Sequence, residues 1–272
     1  MATRTILLDI GGTYIKCGDG RQIPAMSNGN RADISMAIRK AIGPISGPTD
    51  IGIAIPGPFD YRDGRFLMKH KFASVYGESF RTLAKIPAHV NIKYLHDVIA
   101  VLAGAIHTLH LDDVNSALVT LGTGLGFTHA INGKVQCNES GSPARDLWNV
   151  PVSGGGILED ELSARGISAE WERRTGESGR TCYAIARMAY SGDQTAREVF
   201  AHVGARLGEV LKSVLEELQC GILLLGGQIS KSLSLMIDPM KEALPDIRII
   251  PVPDDSVFVG LSRLLESNTN NL

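Results

Sequence analysis

The sequence predicts an α/β protein assembled from two related units. Three observations carry this reading. Apolar runs of strand length alternate with helical stretches. A strand, a glycine turn and a second strand occur in each half, over residues 6–17 and 117–135. Glycine, at 30 of 272 residues, gathers in turns that follow apolar runs, which points to loops where a ligand approaches the backbone. That length accommodates one large domain or two of ordinary size.

The first strand, Ile6-Leu7-Leu8, closes on Asp9. Gly11-Gly12-Thr13 then turns the chain, and Tyr14-Ile15-Lys16-Cys17 resumes a strand pattern. This reads as a β-hairpin with bare backbone at its tip. Glycines there let N–H groups approach an anion and allow positive φ. Thr13 adds a hydroxyl, Lys16 a cation, and Asp9 a carboxylate for a hydrated metal. Together they suit nucleotide phosphates with Mg²⁺. A Gly-Gly hairpin turn that binds nothing is the alternative. The GxxxxGK[ST] spacing of a Walker loop is absent, and a strand rather than a helix follows the glycines. Lys16 itself reads as a surface strand residue.

Residues 50–55 form a strand ending at Pro56-Gly57-Pro58. A strand over 91–95 ends at His96-Asp97, and 98–107 read as an apolar, Ala-rich helix. Residues 116–121 make a strand ending at Gly122-Thr123-Gly124; the chain stays extended to 131, where Asn132-Gly133 signals a hairpin. Residues 138–155 are a loop rich in Gly, Ser and Pro. Ala196, Val199, Phe200, Val203, Leu207 and Leu211 recur at steps of three and four within a long amphipathic helix over 193–218, with Asp193 placed to cap it. A buried strand over 220–225 ends at Gly226-Gly227. A helix from about 230, a strand over 247–250 stopped by Pro251, and a helix over 257–265 complete the pattern, with 266–272 frayed.

Composition narrows the function classes. A net charge of −2 without any basic run argues against nucleic acid and anionic lipid as partners. No apolar segment approaches a membrane span, and no signal-peptide pattern precedes the first strand, so the expectation is a cytoplasmic protein. No DNA-reading helix-turn-helix stands ahead of that strand. Cys17, Cys137, Cys182 and Cys220 are scattered, with no CxxC, as in a reducing compartment.

The order and separation of the three glycine turns resemble the sugar-kinase and hexokinase branch of the actin-like ATPase superfamily, and within it the ROK family of bacterial sugar kinases. Asp9-Ile10-Gly11-Gly12-Thr13, with Lys16, is similar to the family's first phosphate motif. Leu121-Gly122-Thr123-Gly124-Leu125-Gly126 is similar to the second, and Leu225-Gly226-Gly227-Gln228-Ile229-Ser230 to the adenosine motif. The resemblance covers nearly the whole chain. It implies a two-lobed, ribonuclease H-like fold with a cleft between lobes: residues 1–105 plus a C-terminal helix within 256–272 in one lobe, 106–255 in the other. It implies ATP- and Mg²⁺-dependent phosphorylation of a hexose or related sugar, by a homodimer. Asp9 would orient Mg²⁺ through water. Gly11, Gly12 and Thr13 would contact phosphates, as would Gly122, Thr123 and Gly124, while Gly226 and Gly227 would face adenosine. Taken alone, Gly226-Gly227 reads rather as a helix-entry turn. Asp97 falls on the family's general base; it is also placed to cap the helix that follows, and one residue can do both.

The substrate side departs from the family pattern. The Glu and His expected after the second phosphate hairpin fall on Arg145 and Trp148, with Asp146 adjacent. The zinc cysteines are missing, so no zinc site is expected. Asp146 is either the replacement for the sugar-binding Glu or a solvated loop acid. Glu159 is a sugar contact or a helix-start acid. His70 stands in a segment where the family often places an Asn, and is a ligand or simply an exposed side chain. His96 replaces the Asn usually found beside the base. The substrate-side candidates are therefore Gly57, His70, His96, Asp146 and Glu159. Rival readings are a sugar-binding regulator on the same fold without turnover, and a kinase using another donor such as polyphosphate.

Overall fold

A computed structural model describes residues 3–267. In chain order the chain forms β1 (Arg4–Ile10), β2 (Tyr14–Cys17), β3 (Gln22–Pro24), α1 (Arg31–Ile42), β4 (Thr49–Ile55), β5 (Phe59–Asp60), β6 (Arg65–Phe66), α2 (Phe80–Ala84), β7 (Asn91–His96) and α3 (Asp97–Leu109). It continues with β8 (Ser116–Leu121), β9 (Leu125–Ile131), β10 (Lys134–Val135), α4 (Leu158–Glu161), α5 (Ala164–Thr175), α6 (Cys182–Tyr190) and α7 (Gln194–Glu217). The last elements are β11 (Ile222–Gly226), α8 (Ile237–Ala243), β12 (Arg248–Pro251) and α9 (Ser256–Glu266). Of the fraying expected over 266–272, Glu266 lies instead within α9 and Ser267 caps it, while 268–272 lie outside the described residues. Among the described residues no helix is long and apolar enough to cross a membrane.

The chain divides into two compact units: residues 3–110, 135–144 and 253–267 form one, and 111–134 with 145–252 the other. The first unit holds a sheet in the order β3-β2-β1-β4-β7. β1 pairs antiparallel with β2, and β1, β4 and β7 run parallel. The second sheet has the order β10-β9-β8-β11-β12, with β8 and β9 antiparallel and β8, β11 and β12 parallel. An antiparallel hairpin joined to three parallel strands is thus built twice, as the repeated strand–glycine–strand pattern predicts.

In the first unit, β1 and β4 bury Leu8, Ile10, Ile51, Ile53 and Ile55, and α1 adds Ile34 and Ile38. Full burial of such side chains is worth about 1.5–3 kcal/mol each. Helix α1, not among the elements expected above, buries Ile34, Ala37, Ile38, Ala41 and Ile42 at helical spacing and is fixed at its start by a capping box: Asn30 accepts from Ala32 and Asp33, and Asp33 accepts from the Asn30 N–H. Helices α3 and α9 approach closely because Gly104 and Gly260 face each other's backbones. A Cβ at Gly104 would overlap the Ser256 carbonyl, and one at Gly260 the Ala100 carbonyl.

In the second unit, α7 lays Val199, Phe200, Val203, Leu207, Leu211 and Leu215 into the core, and Asp193 caps it by accepting from the Ala196 N–H at 2.8 Å. The helix expected from about 230 is instead a 3₁₀ segment, Ile229–Leu235, with non-helical backbone at Ser232, followed by α8. Pro251 does not stop β12 but closes it, on an edge strand that can spare an N–H.

Candidate functional site

In an open α/β sheet, ligands bind beyond the carboxyl ends of the parallel strands. In the first unit those ends carry most of the candidates. Register places Asp9 against Ala54, and Ile55 against His96. Asp9 near the end of β1, Gly57 just past β4, and His96 with Asp97 at the end of β7 therefore share one edge of the sheet.

Asp97 is the first residue of α3, with its carboxylate in the turn where the helix dipole favours negative charge. Its Oδ1 accepts from the Val98 N–H at 2.8 Å. His96 Nδ1 also lies 2.8 Å from Oδ1, although the angle is not that of a straight hydrogen bond. The other ring nitrogen, Nε2, accepts from the Gly57 N–H at 3.4 Å. That contact assigns the neutral imidazole's proton to Nδ1, the atom facing Asp97. Both contacts fall on Oδ1, so Oδ2 is left to accept from another group. Burial pushes the Asp97 carboxyl up, but His96, the Val98 N–H and the charge of Lys71 outweigh it and hold the carboxyl below its ordinary value. The side chain keeps 35% of its surface open to solvent, so a substrate hydroxyl has access.

Asp9 is enclosed more fully. Its carboxyl lies 3.5 Å from Lys16 Nζ, its cross-strand partner, with 17% of the side chain exposed. Desolvation nevertheless pushes it up to about 6, against the pull of Lys16 and with a further push from Asp97. A buried carboxylate that is costly to ionise, near a second one, is a hard-oxygen donor set suited to Mg²⁺. Among the described residues no group of three or more His, Cys, Asp or Glu could hold a metal by itself. A cation at Asp9 would therefore draw its remaining ligands from water and substrate, as Mg²⁺ commonly does.

The turn at Gly11-Gly12-Thr13 corrects one expectation. Neither glycine has positive φ. The Gly11 N–H closes the turn on the Tyr14 carbonyl at 2.9 Å. Gly12 lies against the Lys71 side chain: a Cβ there would stand 3.1–3.3 Å from Cε, Cδ and Nζ of Lys71. The Gly12 carbonyl accepts from Ser27 Oγ at 2.5 Å. His70 is exposed, and it is the neighbouring Lys71 that reaches the turn. Lys71 and Ser27 carry no motif in the sequence; only folding brings them to the hairpin.

The second unit places its glycine turns in the same way, after β8 and β11. A Cβ at Gly122 would meet nothing within 4 Å, so this part of the turn is open, and Thr123 is exposed. Gly124 is crowded by Glu159, whose Oε2 would stand 2.5 Å from a Cβ. Glu159 Oε2 accepts from the Leu125 N–H at 3.0 Å, and Oε1 accepts from Arg165 at 3.0 Å. The structure thus places Glu159 as a brace for the second glycine turn. Gly227 has φ of 85° and lies against the Leu121 carbonyl, a position only glycine fills; Gly226 packs between Thr120 and Val252. Asp146 is exposed, beside Arg145, which pairs with Glu217 at 2.9 Å.

Comparison with protein-family models gives no match for this chain. Comparison with curated protein sequences gives none either. Solved structures do match. A ROK-family glucokinase from Streptomyces griseus, solved with glucose and AMPPNP, aligns at 19% identity over 96% of this chain and 98% of its own, with a TM-score of 0.79. A ROK-family transcriptional regulator, a homologue of the E. coli MLC protein, aligns at 17% identity over 98% of this chain and 78% of its own, at 0.76. An inorganic polyphosphate/ATP-glucomannokinase from Arthrobacter aligns at 18% identity over 97% and 99%, at 0.65. Two α/β units of like topology, each with a glycine turn between its hairpin strands, give this chain the actin-like fold of the ROK-family sugar kinases.

Proposed function

We propose that this chain is an ATP- and Mg²⁺-dependent kinase that phosphorylates a hydroxyl of a hexose or related sugar, with Asp97 as general base. The observation that carries the reading is the state of Asp97: held ionised, anchored through Oδ1 by the Val98 N–H and His96, with Oδ2 unspent at the carboxyl edge of the sheet. A sugar hydroxyl is a poor nucleophile, and a carboxylate held within hydrogen-bond reach removes its proton as it attacks. The proton passes to Asp97, the sugar oxygen bonds to the γ-phosphorus, and the bond from that phosphorus to the β,γ-bridging oxygen breaks to release ADP. Little covalent chemistry falls to the protein, so positioning and charge neutralisation dominate. In the turn, the Gly11 N–H is spent on the Tyr14 carbonyl, so we assign the Gly12 and Thr13 N–H groups and the Thr13 hydroxyl to phosphate oxygens. We assign Gly122, Thr123, Gly124, Gly226 and Gly227 to the nucleotide. Asp9 would hold Mg²⁺ through water, and the ion would supply positive charge to the phosphates.

The glucokinase solved with glucose and AMPPNP supports both the donor and the acceptor class. The regulator and the polyphosphate-using kinase show that the same fold serves other ends. ADP release measured over glucose, mannose, fructose, allose, N-acetylated hexosamines and β-glucosides tests the reading. Turnover on at least one is expected, and Asp97→Asn should reduce it by about 10²–10⁴-fold while AMPPNP still binds. An Asp97→Asn protein with undiminished turnover would overturn the mechanism. Sugar binding without ADP release by the wild type would favour the regulator.

A further inference from the structure

A third charged group stands at the first glycine turn beside Asp9 and Asp97. The aliphatic stem of Lys71 runs along the Gly12 backbone, with Nζ 3.3 Å from where a Cβ would be. Its placement is not that of a loose surface lysine. The next residue, Phe72, is buried, with its ring 5.5 Å from that of Phe66. The Phe72 N–H donates to the Ser27 carbonyl at 2.7 Å, and Ser27 Oγ donates to the Gly12 carbonyl at 2.5 Å. Ser27 thus straps the segment carrying Lys71 to the turn. Phe72 also adopts φ of 53°, an uncommon backbone state for a bulky residue that its packing maintains.

The ammonium group itself is unspent. Among the described residues Lys71 makes no hydrogen bond or ion pair, whereas Lys16 is paired with Asp9. Lys71 is nevertheless near enough to Asp97 for its charge to help hold that carboxyl down. A half-buried cation with its donors free, on a strapped segment beside a glycine turn and within electrostatic reach of the base, matches what phosphoryl transfer requires. Negative charge spreads over the equatorial oxygens of the moving group, and a positioned cation there lowers the barrier.

We propose that Lys71 is a catalytic residue that contacts the γ-phosphoryl group of the donor during transfer. The proposal rests on the kinase reading of this site but is tested separately from it. Lys71→Met keeps the stem and removes the charge, and Lys71→Arg restores a charge with different geometry. AMPPNP and ADP, each with Mg²⁺, are titrated into the full-length wild type and both variants by calorimetry. Lys71→Met should weaken AMPPNP about tenfold or more while ADP binds as before, which also shows that the variant is folded. On whichever sugar is turned over, kcat should fall about 10²-fold or more, with KM for the sugar within about threefold. Lys71→Arg should recover part of both losses. An unchanged AMPPNP-to-ADP affinity ratio overturns the proposal, as does a loss confined to KM for the sugar, which would place Lys71 on the acceptor. If the wild type turns over no sugar, the kinase reading fails, and the AMPPNP-to-ADP ratio still decides what Lys71 touches.

Discussion

Asp9 should cost the free protein stability, and the cost can be worked from its environment. Its carboxyl is pushed from 3.8 up to about 6, chiefly by desolvation, with 17% of the side chain exposed. At about 1.4 kcal/mol for each tenfold change in a protonation equilibrium, the difference amounts to about 3 kcal/mol. The sign follows from linkage. Below the unfolded value both states carry the proton, and there is no penalty. As pH rises from about 4 to about 6 the unfolded chain ionises first, so stability is lost progressively. Above about 6 the loss is complete. Asp9→Asn removes the ionisation while keeping size and polarity. Urea unfolding followed by far-ultraviolet circular dichroism should therefore show the variant more stable by about 2–3 kcal/mol at pH 8. Near pH 4.5 the gain should shrink to about 1 kcal/mol. A gain independent of pH, or a variant less stable at both pH values, would refute the reasoning. The physical point is that a desolvated carboxylate destabilises the protein once it ionises, unless a cation compensates its charge.

Two further perturbations bear on the site and its scaffold. His96→Ala removes the group 2.8 Å from Asp97 Oδ1, so the Asp97 carboxyl should rise and the acid limb of the kcat–pH profile should move to higher pH; a limb that stays in place would show that His96 does not tune the base. Gly104→Ala forces a methyl group into the Ser256 carbonyl between α3 and α9, and should destabilise the protein by about 3 kcal/mol in urea unfolding, an effect a well-tolerated variant would contradict.

Local patterns carried much of this protein. The hairpin at Asp9–Lys16, the strand ending at His96-Asp97, and the long helix with Asp193 at its start are legible because each depends on neighbours in sequence: alternation, a turn residue, a cap. Helix α1 is written just as locally, in an Asn30–Asp33 capping box followed by Ile34, Ala37, Ile38, Ala41 and Ile42 at helical spacing, although it is absent from the elements expected from the sequence. The role of Glu159 was not legible, because its contacts to Leu125 lie 34 residues away.

The sequence by itself determined the strand–glycine–strand repeat and the residues at its tips, since period and turn chemistry are local properties. Tertiary structure decided what those tips face. Parallel pairing of β1, β4 and β7 brings Asp9, Gly57, His96 and Asp97 to one edge of the sheet, though they are separated by dozens of residues. The Ser27 strap then carries Lys71 to Gly12, a contact that no local pattern announces. Periodicity fixes which face a side chain takes; only the pairing of distant strands fixes which charges meet.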